Sequence, residues 1–140
     1  MFCFLFLLYN ESGDKMNIKE INPLVYAYLG DAIYEVYIRE YLINKNMAKV
    51  KDLQQEAKKY VTAVNQAKYL ELIKDMLTEE ELNIIKRARN TKVNSHPKNT
   101  DIITYKHSTA LEALIGYLYL NNEIQRMEEI INSILLIEIR

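Results

Sequence analysis

Two carboxylates stand where carboxylates are costly. Asp31 lies in Leu29-Gly30-Asp31-Ala32-Ile33, and Glu112 in Leu111-Glu112-Ala113-Leu114-Ile115-Gly116. Each is in an apolar run with a glycine beside it or one turn away. A carboxylate turned towards a core is unfavourable unless it is paired or bound to a metal. Two such groups on crossing helices make a hard-cation site suited to Mg²⁺. Glu35, one helical turn after Asp31, shares its face and is a third candidate, holding a metal water. A blander reading stands beside this one. Gly30 then marks a plain helix crossing with Asp31 at the surface, and Glu112 pairs with a lysine or arginine. On the Gly30–Asp31 stretch alone the plain crossing is the favoured reading; it is the two stretches together that point to a cation.

A second group of residues bears on what the cation would act upon. Between residues 86 and 106 the bases are Lys86, Arg87, Arg89, Lys92, Lys98 and Lys106, against the single acid Asp101. Asn90, Asn99 and both histidines, His96 and His107, are interspersed. Forked guanidinium donors, point charges and amides on a loop beside a helix end are what phosphate-backbone binding needs. Such a loop can also be simply solvated, and the histidines can be ordinary loop residues. Mg²⁺ beside a phosphate-binding loop is equipment for phosphodiester hydrolysis, because the cation acidifies water and steadies charge on the phosphorane oxygens. The chain has no Gly-rich phosphate loop, no Cys/His metal spacing and no Ser–His–Asp set.

The elements that must position these residues are helices. Asn22 is a good N-cap and Pro23 suits the first helical position, so a helix is predicted from there to about Leu42. Gly30 inside it costs about 1 kcal/mol against Ala. A 3-to-4 spacing of apolar residues over 47–76 predicts more helix, bent or broken near residues 60–62. Its lysines, Lys45, Lys49, Lys51, Lys58 and Lys59, suit a solvated face. Thr78 with Glu81 forms a capping box that opens a helix to about Asn90. Residues 93–101 are the longest loop. From about Thr104 a final helix pair begins. Residues 110–120 are apolar on nearly every side and belong at the centre of the core. Asn121-Asn122 is a turn, and residues 124–139 close the domain as an amphipathic helix.

Composition agrees. The chain has 140 residues, enough for one core, with 49% hydrophobic residues, 3 Gly and 2 Pro, so turns are scarce and an all-α fold is favoured. The single Cys3 excludes an internal disulfide and a Cys-based zinc site. Net charge is −1, but it is unevenly spread: −3 over residues 1–44, +5 over 45–107 and −3 over 108–140. A positive face is compatible with the near-neutral total. Residues 1–15 open with the apolar run Met-Phe-Cys-Phe-Leu-Phe-Leu-Leu-Tyr. That run is short of the roughly 20 residues a membrane span needs, and lacks the basic start and cleavage site of a secretory signal. They are read as a mis-called or disordered extension before Met16, with the domain at 16–140; a membrane-associating or partner-docking segment is the rival reading.

The motifs in combination resemble a known family. Tyr28-Leu29-Gly30-Asp31-Ala32, with Leu111-Glu112-Ala113-Leu114-Ile115-Gly116 downstream, is similar to the two signature motifs of the ribonuclease III catalytic domain. With Arg87-Ala88-Arg89-Asn90 and Pro97-Lys98-Asn99, the spelling resembles the short bacterial branch, Mini-ribonuclease III, which has no double-stranded-RNA-binding domain. The resemblance runs from about residue 20 to the end. It implies a helical endonuclease domain that forms a homodimer, with double-stranded RNA across the dimer. It also implies Mg²⁺-dependent cleavage, with Mn²⁺ as a substitute, leaving 5′-phosphate and 3′-hydroxyl ends. The branch implies maturation of the terminal stem of precursor 23S ribosomal RNA in the cytoplasm, away from membranes, with a ribosomal protein as a candidate helper. Carried over, Asp31 and Glu112 are the catalytic metal ligands, and Tyr28 and Leu29 are dimer contacts. RNA binding falls to Arg87, Arg89, Asn90, Lys92, Lys98 and Asn99. Full-length members carry acids where this chain has Ala27 and Thr109, so a second tightly held metal is in doubt, and Glu35, Thr109 or water are candidate substitutes. The alternative is a non-catalytic double-stranded-RNA-binding dimer of the same fold; a helical protein-interaction domain is a third.

Overall fold

The computed structural model describes residues 17–137. The reading of residues 1–15 lies outside them, and the last helix, expected to run to Ile139, ends at Leu135. Six α-helices make up the described chain: α1 (Pro23–Asn44), α2 (Val50–Val61), α3 (Ala63–Ile73), α4 (Glu79–Asn90), α5 (Ile102–Leu120) and α6 (Ile124–Leu135). Short 3-10 turns precede α1 and follow α3. No strand occurs among the described residues.

Helix α5 is the hub. It packs on α1, α3 and α4 and also touches α6. Ser108–Leu111 and Ala113–Leu118 are all buried, so this helix is apolar on nearly all sides, as its sequence predicts. Its N-terminus lies two residues before the expected Thr104, because Asp101 caps it: the Asp101 carboxylate accepts from the Thr104 N–H at 2.9 Å and from the Thr104 hydroxyl at 2.7 Å. The opening helix starts as expected, with the Asn22 side chain accepting from the Leu24 N–H at 2.9 Å. It buries Tyr26, Ala27, Gly30, Tyr34, Ile38 and Leu42, a stripe at helical spacing.

The contact between α1 and α5 is made by backbone. A Cβ on Gly30 would run into the carbonyl oxygen of Glu112 and approach the N–H of Gly116, while a Cβ on Gly116 would meet the carbonyl of Tyr26. Glycine is required at both positions because each helix occupies the space a side chain would need.

The expected long helix over 47–76 is broken at Thr62, whose backbone is extended (φ −65°, ψ 147°). The break leaves the last carbonyls of α2 without helical partners. Two tyrosine hydroxyls supply them: Tyr34 from α1 donates to the Tyr60 carbonyl at 2.8 Å, and Tyr69 from α3 donates to that of Lys59 at 3.1 Å. The start of α2 is Val50, three residues later than expected, after Asn46 turns the chain at φ 66°. At α4 the capping box is complete, with Thr78 N–H to Glu81 Oε1 at 2.8 Å and Glu81 N–H to Thr78 Oγ1 at 3.2 Å. Arg126 of α6 then clamps the same carboxylate, through Nε and Nη2 each at 2.9 Å. Burial alone would raise the Glu81 carboxyl; the Arg126 guanidinium and the Thr78 N–H bring it below its usual range.

Candidate active site

The α1–α5 crossing sets the site. Gly30 lies against the backbone of Glu112, so the residue after it, Asp31, is brought to the same place as the Glu112 side chain. Both carboxylates line a cleft of about 290 Å³. Leu24, Ala27 and Tyr28 of α1 form one wall, Tyr105 and Thr109 of α5 another, and Val93, Asn94 and Ser95 of the loop a third. The expected crossing and the expected carboxylate pair are therefore one feature.

Electrostatics make this pair unusual. The Asp31 side chain is exposed, while Glu112 is half-buried. Burial pushes the Glu112 carboxyl up to about 8, with the charge of Asp31 adding to the rise and that of Glu35 contributing less. The neighbouring Gln66 and Ser108 side chains act in the opposite direction. Asp31 is also raised, by burial first and by Glu35 second. The blander expectation for Glu112, an ion pair with lysine or arginine, is not met: among the described residues neither Glu112 nor Asp31 has a cationic partner. Two mutually repelling carboxylates at the edge of a core, with no cation from the protein, fit a hard divalent cation, whose charge offsets both burial and repulsion.

Glu35 stands differently. Its carboxylate accepts from Arg39 Nη2 at 2.7 Å, and it lines a groove between α1 and α2 rather than the carboxylate cleft. Its field reaches Asp31 and Glu112, but its side chain is engaged elsewhere. Ala27 and Thr109, the positions where acids were expected from full-length family members, both line the cleft. No group of three or more His, Cys, Asp or Glu placed to hold a metal occurs among the described residues. The protein thus offers two carboxylates, with the remaining positions around a cation open to water and phosphate.

The basic residues divide. Asn90, Lys92, Lys98 and Asn99 are exposed on the end of α4 and the following loop. Arg87 donates to the Ile21 carbonyl at 3.4 Å. Arg89 is half-buried and lines a separate small cavity with His107 and Lys74, between α3 and the α4–α5 pair. His96 is exposed and tilts against Tyr105, with ring centroids 6.3 Å apart. None of the six basic and amide candidates lines the carboxylate cleft; the loop reaches it through Val93–Ser95. Tyr28 is 85% exposed, and Val25 and Val36 are exposed at 53% and 60%, so α1 presents an apolar outer stripe, with Leu29 half-buried beside it. No helix among the described residues is long and apolar enough to cross a membrane.

Sequence reasoning missed Gln66 and Ser108. Both are nearly inaccessible, at 1% and 4%, and Ser108 Oγ donates to Gln66 Oε1 at 2.5 Å. A signal was present for the first: Gln66 falls in register with Tyr69, Leu70 and Ile73 on the buried stripe of α3, where an amide is out of place.

Comparison with known proteins agrees with this geometry. Residues 24–123 match the model of the ribonuclease III domain. A Mini-ribonuclease 3 from Staphylococcus aureus is 45% identical over 123 residues, spanning 86% of this chain and 92% of the relative. Another from Brevibacillus brevis is 50% identical over 112 residues, spanning 80% and 84%. The crystal structure of protein FN1578 from Fusobacterium nucleatum superposes with a TM-score of 0.75 at 36% identity, covering 84% of this chain and 94% of that one. The chain belongs to the ribonuclease III family of endoribonucleases, in its Mini-ribonuclease 3 branch.

Proposed function

We propose that this chain is a Mg²⁺-dependent endoribonuclease that cleaves double-stranded RNA as a homodimer, leaving 5′-phosphate and 3′-hydroxyl ends. The natural substrate we assign is the terminal stem of precursor 23S ribosomal RNA, by likeness to the branch. The observation that carries the reading is the Asp31–Glu112 pair: two coupled carboxylates in one cleft, without a protein cation, bordered by a basic loop.

In this reading Asp31 and Glu112 hold the cation, and Mn²⁺ substitutes for Mg²⁺. When bound, the cation supplies positive charge to the phosphate undergoing attack and lowers the pKa of water. Asp31, on the open side of the cleft, faces the substrate. Glu112, set deeper, anchors the ion from the core. Glu35, tied to Arg39, acts through its charge or through water. Asn90, Lys92, Lys98 and Asn99 track the RNA backbone, and Arg87 and Arg89, engaged with the Ile21 carbonyl and with the cavity beside α3, add positive charge behind them. Phosphate contacts of this kind give affinity that falls steeply with salt. A-form RNA is read by shape and 2′-hydroxyls, with little sequence preference. The outer stripe of α1, including Tyr28 and Leu29, forms the contact with the second copy.

The test is cleavage of a precursor 23S stem by the purified protein with Mg²⁺, with product ends mapped by ligation. Two cuts across the stem with 5′-phosphate ends support the proposal. RNA retained but intact at every Mg²⁺ and Mn²⁺ concentration would instead indicate a non-catalytic RNA-binding dimer.

A further inference from the structure

A glutamine only 1% exposed and a serine only 4% exposed need a reason, because an amide away from water is costly unless its hydrogen bonds are made. The apolar stripe of α3 would accept leucine at position 66 as readily as it accepts Leu70 and Ile73. Gln66 is instead placed in the first turn of α3, whose start is fixed by the Thr62 cap and by the bond from the Gln66 N–H to the Thr62 carbonyl at 2.9 Å. Ser108 lies one turn before Glu112 on α5. Its hydroxyl proton goes to Gln66 Oε1. That leaves the amide nitrogen of Gln66 as the donor available to Glu112, whose carboxyl Gln66 draws down from its burial-raised value. The order is Ser108 to Gln66 to Glu112, running from a fixed helix face to the carboxylate.

We propose that Gln66, oriented by Ser108, is a positioning residue that holds the Glu112 carboxylate in the rotamer that binds the divalent cation. This rests on the metal reading of Asp31 and Glu112. Glu112 has three side-chain torsions and no cationic partner among the described residues, so without a donor at one oxygen it would be free to turn towards solvent. An amide is suited to this task because it orients a carboxylate without neutralising it, leaving the charge for the metal. In a site with alanine at 27 and threonine at 109, fewer carboxylates surround the ion, and the placement of each counts for more. Partners of this kind around metal ligands change metal affinity or activity by about 10–100-fold when removed.

The test measures Mn²⁺ affinity of the RNA-free, full-length protein by electron paramagnetic resonance of the free ion. Gln66→Leu keeps the side-chain volume and is expected to weaken Mn²⁺ binding by about 10–100-fold. Ser108→Ala is expected to weaken it less. The double variant is expected to match Gln66→Leu alone, because the two act in series and their effects do not add. Excess Mn²⁺ is expected to restore the cleavage rate of Gln66→Leu on an RNA duplex, which a purely structural defect would not allow. A folded Gln66→Leu with Mn²⁺ affinity within about twofold of wild type overturns the proposal, as does strict additivity of the two changes. Should Gln66→Leu fail to fold, unchanged Mn²⁺ affinity in Ser108→Ala overturns it as well. Asp31→Asn separates the two claims: undiminished Mn²⁺ binding by that variant removes the metal pair itself, whatever Gln66 does.

Discussion

Glu112 is held between two opposing demands. Burial and the charge of Asp31 favour its protonated form, up to a pKa of about 8, while a bound cation requires the carboxylate. The consequence for stability has a definite sign. The folded pKa lies above the ordinary value of 4.5, so the folded protein binds the proton more tightly than the unfolded chain does. The metal-free protein therefore has its full contribution from this group below about pH 4.5 and loses it as pH rises to about 8, a loss on the order of a few kcal/mol. Urea unfolding in chelator between pH 5 and 9 should show the decline, and Glu112→Gln should flatten it. Mg²⁺ should restore stability most at the alkaline end, where no proton has to be displaced. A wild-type profile in chelator that is level across this range, or identical to that of Glu112→Gln, would contradict the assignment. Because Asp31 and Glu112 interact, any midpoint seen belongs to the pair.

At the scale of elements, the crossing of α1 and α5 is the part that tolerates least. Gly30→Ala and Gly116→Ala each place a methyl group into the facing helix's backbone, which cannot rotate away as a side chain can. Each is expected to cost at least about 3 kcal/mol in urea unfolding and to abolish metal binding by forcing the carboxylates apart. A loss below about 1 kcal/mol would mean that the helices are not in backbone contact. Much of this level was legible in the sequence because its signals are local. Asn22 with Pro23, the Thr78–Glu81 box and the apolar run 110–120 each act within a few residues, and each helix formed where its cap or period indicated. The break at Thr62 was visible only as excess length; its stabilisation by Tyr34 and Tyr69 depends on helices distant in sequence. The same limit applies to the site. Asp31 and Glu112 were conspicuous as charges in apolar runs, whereas the engagement of Glu35 by Arg39, the diversion of Arg89 into another cavity and the Ser108–Gln66 bond follow from packing.

At the scale of the whole molecule, two surfaces matter. The outer stripe of α1 exposes Val25, Tyr28 and Val36, more apolar surface than a helix turned only to water would carry. Tyr28→Lys with Val36→Lys is expected to yield a folded monomer in sedimentation at micromolar concentration; a persisting dimer would place the interface elsewhere. The second surface is the basic loop. Lys92→Ala and Lys98→Ala are each expected to weaken duplex binding uniformly across sequences and to reduce the slope of log affinity against log salt by about 1. An unchanged slope would remove these lysines from the RNA path.

The measurement that bears most directly on the central claim is cleavage of a perfect RNA duplex by wild type and by Asp31→Asn, with duplex binding followed in parallel. Asp31→Asn removes one charge from the cleft and leaves its shape. Wild type should cut with Mg²⁺ and stop with chelator, while Asp31→Asn should bind the duplex with similar affinity and leave it intact. Undiminished cutting by Asp31→Asn, or cutting by wild type in chelator, would contradict the account.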